Sequence, residues 1–354
     1  MAGRRPPVTL LLPNRNNGPV LDLTLRRLLE HTTYPSFELV IVDDGSNDES
    51  RSILRRWRDE AAFGHFTLIE REHGGVVEAL NAGLAAASGE LIVQLDGDAT
   101  AETPGWLERM VDFQQSDDHI GVVNPLITFD SGYIHAAGIN LISATGLHDR
   151  GSRPTEPAGS RTLHAHVKRV KPEAAGTLVT ELAEIDAAIG VCMLYPRALA
   201  EAIGGYDPGF SPVWFDDVDL SLSARRLGLK VFFLPGVEFV HRLELRNDRS
   251  ATSKVWAARK RARRAVARMI PPRVTDALMR LELLPAVHSP HELRRLHHHY
   301  GYWREKWGFD LINPDMTRLL SRYGETEVCW AYDPARRAAG ERIVAAWSKA
   351  NASG

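Results

Sequence analysis

The first 125 residues alternate between two patterns of apolar positions. Short continuous apolar runs are typical of strands covered on both faces of a sheet, and five are predicted, at Val8–Pro13, Phe37–Val42, Phe66–Ile69, Leu91–Leu95 and Ile120–Asn124. Segments with helical spacing lie between them, at residues 21–29, 76–87 and 104–115. Strands that alternate with helices indicate an α/β fold with a mostly parallel, Rossmann-like sheet and helices on both faces.

The pattern changes in the second half of the chain. Residues 146–176 are rich in Gly, Pro, Ser, His and basic residues and show little periodicity, which predicts a long loop or lid. Beyond about Arg246 an Arg-rich helical pattern begins, and Asp333 and Pro334 indicate the start of a last helix. The sequence therefore predicts an α/β domain over residues 1–245 and a helical extension over residues 246–354.

Composition narrows the class of protein. The 354 residues are 44% hydrophobic and 25% charged, which is typical of soluble globular proteins, and the net charge of −2 gives no reason to expect a nucleic-acid partner. The two cysteines, Cys192 and Cys329, are too few for a disulfide framework. With no evident signal peptide and no apolar run of the ~18 residues that a membrane span needs, we expect a cytoplasmic location.

Asp96 and Asp98 follow the LIVQL strand directly. Ligands of parallel sheets bind beyond the carboxyl ends of the strands, and residues two apart in an extended chain can turn to the same side. Hard oxygen ligands of this kind suit Mg²⁺ or Mn²⁺ bound to a diphosphate. The alternative is a polar turn after a buried strand.

Asp43 and Asp44 likewise follow the FELVIV strand directly. A carboxylate at that position can accept hydrogen bonds from a base or from ribose hydroxyls. The alternative is an Asx-turn that caps the next helix through Ser46 or Asp48, and both interpretations can hold together.

A third acidic cluster consists of Asp216, Asp217 and Asp219 and opens a helical stretch. Three acids at a helix N-terminus favour the helix dipole, so simple capping is one interpretation. The other is a general base that takes a proton from an attacking hydroxyl.

Four segments, taken in order, resemble family 2 glycosyltransferases of the GT-A fold: VTLLLPNRNN, IVDDGSND, ALNAGLAAASGELIVQLDGDA and WFDDVDLSLSARRLG. The resemblance covers about residues 7–245. It implies a GT-A catalytic domain with a nucleotide-sugar half over about residues 1–124 and an acceptor half over about residues 125–245. It also implies an inverting, metal-dependent transfer of a hexosyl or deoxyhexosyl group from a nucleotide diphosphate to a hydroxyl.

The resemblance implies roles for individual residues. Asp217 would be the catalytic base with Asp216 in support, Asp98 and His241 would ligate Mn²⁺ or Mg²⁺, and Trp214 and Asp219 would contact the acceptor. The remaining donor contacts would come from Pro13, Arg15, Asp43, Asp44, Gly74, Asn81, Asp96 and Asp98.

Some of these roles have structural alternatives. His241 lies beside a predicted strand and Trp214 is a large aromatic residue, so either side chain could serve the core. A basic residue is common in the family just before the Asn of ALNAG, and this chain has Leu80 there. The run from His297 to His299 is interpreted as helix surface rather than as a metal tract.

The expected partners are a UDP- or dTDP-sugar and a carbohydrate or glycolipid acceptor, in polysaccharide or glycoconjugate assembly. Two other classes stay open, a nucleotidyltransferase of similar fold and a non-catalytic carbohydrate-binding relative. Seven basic residues between Lys254 and Arg268 favour either peripheral contact with the inner face of the membrane or packing within the protein or a homodimer.

Overall fold

A central β-sheet with helices on both sides organises the molecule. The computed structural model describes residues 5–143, 161–165, 172–243, 290–308, 311–312, 342–343 and 345–350. In chain order its strands are β1 (Val8–Asn14), β2 (Phe37–Asp44), β3 (Phe66–Arg71), β4 (Leu91–Leu95), β5 (Ala99–Ala101), β6 (Ile120–Phe129), β7 (Ile134–Ala136), β8 (Ile139–Ser143), β9 (Arg161–Ala165), β10 (Ala183–Ile185), β11 (Cys192–Pro196), β12 (Lys230–His241) and β13 (Leu311–Ile312).

The helices fall between these strands as the apolar pattern predicts in the first half of the chain. They are α1 (Gly18–His31), α2 (Ser50–Asp59), α3 (Val76–Ala86), α4 (Trp106–Gln114), α5 (Pro172–Ala175), α6 (Thr177–Thr180), α7 (Arg197–Ile203), α8 (Asp216–Arg226) and α9 (Pro290–Trp307), with a 3₁₀ turn at Pro208–Phe210. Residues 342–343 and 345–350 are also helical.

The strand order of the main sheet is β10-β12-β6-β11-β4-β1-β2-β3, with β5 paired to β12 and β7 paired to β6. The run β4-β1-β2-β3 is parallel throughout, as is β12 with β6. Strand β11 runs antiparallel between β4 and β6. The predicted α/β fold is confirmed, and its parallel part carries the strand ends that the sequence singles out.

Both faces of the sheet are covered, which explains the continuous apolar runs. All seven residues of β1 are buried. Leu11 faces a core that includes Leu80 of α3, whereas Leu10 and Leu12 face a second core that includes Leu25 of α1. Full burial of a leucine side chain stabilises the fold by about 1.5–3 kcal/mol, so these leucines fix which face of the strand packs against which core.

Helix α9 packs into the same core as α8. Trp303 is fully buried, and Tyr300 and Trp307 are nearly so, in contact with a cluster that includes Val218 and Leu220 of α8. The described part of the C-terminal segment therefore supports the element that begins with the third acidic cluster.

The structure tests one of the predictions for the second half of the chain, and others fall on residues that it does not describe. The prediction of a continuous loop over residues 146–176 is wrong at Arg161–Ala165, which forms β9 and pairs with β8 and β13. Five residues are too few to show a period, and both partners come from other parts of the chain. The basic segment from Lys254 to Arg268, and Asp333 and Pro334, lie outside the described residues.

None of the helices described above combines the length and apolarity needed to cross a bilayer.

Candidate active site

Asp96, Asp98 and His241 meet at the carboxyl end of β4. Asp96 and Asp98 lie in the turn between β4 and β5, and antiparallel pairing of β5 with β12 sets His241 opposite Ala99. The Nε2 atom of His241 lies 3.3 Å from Oδ1 of Asp98 and 3.9 Å from Oδ2 of Asp96. One ligand atom from each of the three residues lies within 4.8 Å of the others. Two carboxylates and an imidazole at this spacing fit a divalent cation.

The surroundings of this cluster fix its geometry. The backbone N–H of Arg242 donates to the carbonyl of Asp98 at 2.8 Å. The Arg242 guanidinium binds Glu102 at 2.7 Å and Asp130 at 3.0 Å. His135, which the sequence did not single out, lies against His241 with 3.2 Å between their Nδ1 atoms.

Asp43 and Asp44 are both buried and both hold loops in place. Asp43 accepts hydrogen bonds from the Ser46 backbone at 3.2 Å and the Ser46 hydroxyl at 2.5 Å. The predicted Asx-turn before α2 is found at Asp48, which accepts from the backbone N–H of Ser50 at 2.9 Å. Asp44 accepts from the backbone N–H groups of Gly74 at 2.9 Å and Gly75 at 2.8 Å. Their contacts with a base or ribose stay predictions.

The other predicted donor-binding residues differ in burial and in their hydrogen bonds. Pro13 is buried in β1 and Arg15 is half-buried just beyond it. Asn81 uses its amide on the backbone of Tyr206, accepting from its N–H at 2.9 Å and donating to its carbonyl at 2.8 Å. In this structure the amide of Asn81 therefore holds the turn that leads toward the third acidic cluster.

Asp216 and Asp217 begin α8 after an unusual turn. Trp214 and Phe215 have φ values of 85° and 69°, a left-handed conformation that is costly for bulky residues and is held here by the surrounding packing. Oδ2 of Asp217 accepts from the backbone N–H of Gly190 at 2.7 Å. The next residue, Val191, accepts at its carbonyl from the N–H of Asp96 at 3.0 Å. This short stretch of backbone joins Asp216 and Asp217 to the cluster of Asp96, Asp98 and His241.

The two carboxyl groups have raised proton affinity. Burial raises the pKa of Asp216 well above its ordinary value, and the adjacent charge of Asp217 raises it further. Burial also raises the pKa of Asp217, although the N–H groups of Gly190 and Val218 oppose the shift. Asp217 is the more exposed of the pair. A carboxylate of raised pKa that a hydroxyl can reach is suited to accept a proton.

Asp219 lies in a different environment from Asp216 and Asp217. Its carboxylate accepts from Lys306 Nζ and from Trp307 Nε1, each at 2.8 Å. Burial raises the pKa of Asp219 even though these two donors lower it. Lys306 also donates to Asp207 at 2.5 Å, so one lysine of α9 joins two carboxylates. The carboxylate of Asp219 is therefore bonded to α9, and its predicted contact with the acceptor stays a prediction.

Trp214 is half-buried and packs with its ring centroid 6.3 Å from that of His299. His299 is itself fully buried, and its Nε2 lies 3.0 Å from the carbonyl of Ser211. The interpretation of His299 as helix surface is wrong, because α9 turns this residue onto the loop before α8. His298, its neighbour, is exposed as predicted.

The loop before α8 also touches the donor side. The carbonyl of Pro212 accepts from the backbone N–H of Val76 at 2.7 Å. Gly75 has φ 109°, and a Cβ atom there would overlap Pro212, so glycine is required at this contact. Sequence reasoning missed Gly190, Lys306 and His299 because their roles depend on neighbours far away in the chain.

Residues 9–168 match the model of glycosyl transferase family 2, which confirms the resemblance seen in the motifs. The O-antigen biosynthesis protein RfbC of Myxococcus xanthus is 26% identical over 240 residues, which are 67% of this chain and 17% of that protein. The chain spans 24% and 17% of the length of two curated relatives that it matches over 67% of its own length.

Two solved structures share the fold. The mannosyltransferase PcManGT of Pyrobaculum calidifontis, in complex with GDP-Man and Mn²⁺, matches with a TM-score of 0.53 and 22% identity over 99% of this chain and 76% of its own. GalNAc-T7 with UDP, GalNAc and Mn²⁺ matches with a TM-score of 0.52 and 20% identity over 69% of this chain and 44% of its own. At these identities the likeness establishes the GT-A type fold.

Proposed function

We propose that this chain is a family 2 glycosyltransferase that transfers a sugar from a nucleotide diphosphate to a hydroxyl acceptor with inversion at the anomeric carbon. One observation carries the proposal. The cluster of Asp96, Asp98 and His241 lies one short backbone link away from Asp217, through Gly190 and Val191. A diphosphate site and a proton acceptor side by side are the two parts that direct displacement of a nucleoside diphosphate needs.

Asp98 and His241 would hold the metal ion, with Asp96 beside them. A bound divalent cation supplies charge neutralisation to a departing diphosphate. The imidazole nitrogen in the set favours Mn²⁺ over Mg²⁺, which prefers an all-oxygen shell. The Mn²⁺ in the two similar structures supports the same choice.

Asp217 would act as the general base. Its carboxylate is fixed by the N–H of Gly190, so it cannot swing away from the acceptor hydroxyl. Asp216, more deeply buried beside it, has a pKa that burial and the charge of Asp217 raise further, so it would hold its own proton and leave Asp217 as the acceptor. Proton acceptance by Asp217 as the hydroxyl attacks would make a covalent intermediate unnecessary.

The donor half would bind the nucleotide along the ends of β1, β2 and β4. Arg15 beyond β1 and the Gly74 loop, which Asp44 holds in place, border this edge. GDP-Man and UDP in the similar structures support a nucleotide sugar as donor, with a hexosyl or deoxyhexosyl group transferred. The relation to an O-antigen biosynthesis protein supports polysaccharide or glycoconjugate assembly.

The test is a screen of the purified protein against UDP-, dTDP- and GDP-sugars that measures released nucleoside diphosphate with Mn²⁺ and with EDTA. We expect release from one donor class, loss of release in EDTA, and loss in Asp98→Ala and Asp217→Asn variants. Release that persists in EDTA would contradict metal dependence. Transfer with retained anomeric configuration, determined by NMR of the product, would contradict a single displacement.

A further inference from the structure

A second histidine stands behind the histidine of the proposed metal site. His135, in the short strand β7, places its Nδ1 3.2 Å from Nδ1 of His241. The ring of His135 also packs against Phe129, with centroids 4.4 Å apart, and against His241, with centroids 5.1 Å apart. Strand β7 pairs with β6, and β6 pairs with β12, so backbone pairing sets the two imidazoles side by side.

We infer that His135 is a positioning residue that selects the tautomer of His241 and orients its ring for binding a divalent cation. The inference rests on the metal site of the proposed function. It adds a residue that neither the sequence motifs nor the cluster of three ligands contains.

The argument begins with the two nitrogens of His241. Nε2 faces the carboxylates, at 3.3 Å from Asp98 and 3.9 Å from Asp96, so this nitrogen must coordinate through its lone pair. A neutral imidazole that coordinates through Nε2 carries its proton on Nδ1. That N–H points at Nδ1 of His135, which can accept it when the proton of His135 is on its own Nε2.

The reverse arrangement would abolish coordination. If His135 donated from Nδ1, then Nδ1 of His241 would be the acceptor and Nε2 of His241 would carry the proton. The nitrogen facing the carboxylates would then be a donor and could not bind a cation. The tautomers of the two imidazoles are therefore coupled, and only one of the two pairs of tautomers can bind a metal ion.

The fixed ring plane matters as much as the proton. Phe129 and His241 pack against His135 with interplanar angles of 26° and 28°, so the acceptor nitrogen is held in one direction. Partners behind a metal-ligating histidine that fix its tautomer and orientation typically account for about 10–100-fold in metal affinity.

The experiment compares Mn²⁺ binding, followed by EPR of the free ion, in the full-length wild type and three variants. His135→Phe keeps an aromatic ring against Phe129 but has no acceptor, and we expect affinity about 10–100-fold weaker. His135→Asn places an amide oxygen near the position of Nδ1, and we expect it to recover most of that affinity. His119→Phe changes an exposed histidine bonded to Asp117 and should bind as the wild type does.

The Mn²⁺ affinities of these variants separate the role of His135 from the existence of the metal site. If His135→Phe binds Mn²⁺ as tightly as the wild type does, the role of His135 is refuted and the metal site is not. The same holds if the Phe and Asn variants bind Mn²⁺ equally weakly. If neither the wild type nor Asp98→Ala binds Mn²⁺, the proposed metal site is refuted, and this inference with it.

A second measurement does not depend on a substitution. In protein with ¹⁵N-labelled histidines and Mg²⁺ added as a diamagnetic cation, the nitrogen shifts report which ring atom carries each proton. We expect the proton of His241 on Nδ1 and that of His135 on Nε2, with the two residues assigned from the spectrum of His135→Asn. The opposite pair of tautomers would overturn the inference.

Discussion

The proposed metal cluster (Asp96, Asp98 and His241) and the proposed base cluster (Asp216 and Asp217) lie side by side, yet they are held in different ways. His241 reaches Asp98 because β5 and β12 pair through their backbones, in a register that sets His241 opposite Ala99. Helix α8, which carries Asp217, is held largely by side chains, with Asp219 bound to Lys306 and Trp307 of α9. Backbone pairing tolerates side-chain substitution, whereas a side-chain anchor can be lost by a single change. Variants of the two regions should therefore differ in what they damage.

The largest effect is expected from Asp217→Asn, which isolates the base from the metal cluster. The amide can no longer accept a proton, so transfer should fall by about 10²- to 10⁴-fold while nucleotide affinity stays near that of the wild type. Steady-state kinetics and calorimetry measure the two quantities. Asp112→Asn, on the exposed face of α4, is the matched control. A loss below tenfold would move the role to Asp216 or Asp219.

Asp98→Ala tests the other cluster and should act on binding. We expect Mn²⁺-dependent affinity for the nucleoside diphosphate to weaken by about 100-fold or more, since loss of even a supporting residue behind a metal ligand costs about 10–100-fold. Calorimetry with UDP and GDP, with and without Mn²⁺, measures this change. Unchanged Mn²⁺-dependent affinity would refute the assignment. The contrast with Asp217→Asn separates binding from proton transfer.

Lys306→Met tests whether the base side depends on its side-chain anchor. Asp207 and Asp219 would lose the hydrogen bonds of one lysine, and a buried acceptor left without its donor costs about 1–3 kcal/mol in the free energy of unfolding. We also expect transfer to fall more than Mn²⁺ affinity does. The control is Arg27→Met, which removes an exposed ion pair with Glu30 and should cost less than about 1 kcal/mol. Equal stability of the two variants in urea unfolding would contradict the anchor.

Asp216→Asn should give the smallest change, with the opposite sign. Because burial raises the pKa of Asp216 above its unfolded-state value, the ionised form opposes folding at neutral and alkaline pH. In EDTA we expect the variant to be more stable than the wild type at pH 8. The difference should fade as the pH falls through the raised pKa toward the ordinary range of ~3.9, where the wild-type carboxyl binds its proton.

Asp118→Asn, an exposed substitution, serves as the control for that measurement and should show little pH-dependent difference. Thermal unfolding over a pH series measures the effect. An Asp216→Asn variant that is less stable than the wild type at pH 8 would show that the carboxylate forms favourable contacts that outweigh its burial.

The contrast between the two regions also explains what the sequence could predict. The strands β1, β2 and β4 are buried on both faces, so their apolar runs are visible along the chain, as are the acids at the ends of β2 and β4. The resemblance to family 2 glycosyltransferases implied His241 as a metal ligand, although only the pairing of β5 with β12 brings it to Asp98. Patterns of this kind are local, and local patterns survive in a single sequence.

Other residues took roles that no local pattern encodes. The acceptor contact of Asp219 stays a prediction, but its hydrogen bond to Trp307, 88 residues away, could not be predicted. The donor contact of Asn81 also stays a prediction, and the binding of its amide to Tyr206, 125 residues away, could not be predicted either. His135 carried no signal because a single histidine in a short strand is indistinguishable from a core residue. Which side of α8 each acid faces follows from the packing of α9, and that packing is a property of the folded chain.

The loop between Ser211 and Phe215 has a bearing on engineering. Its carbonyls accept hydrogen bonds from the backbone of Val76 on the donor side and from His299 of α9. A chimera that took a new acceptor-side segment from a relative, in order to change what is glycosylated, would replace this loop while keeping both of its partners. The grafted loop would therefore have to fit closely against the retained Gly75 and accept hydrogen bonds from both Val76 and His299, because it contacts two other parts of the chain.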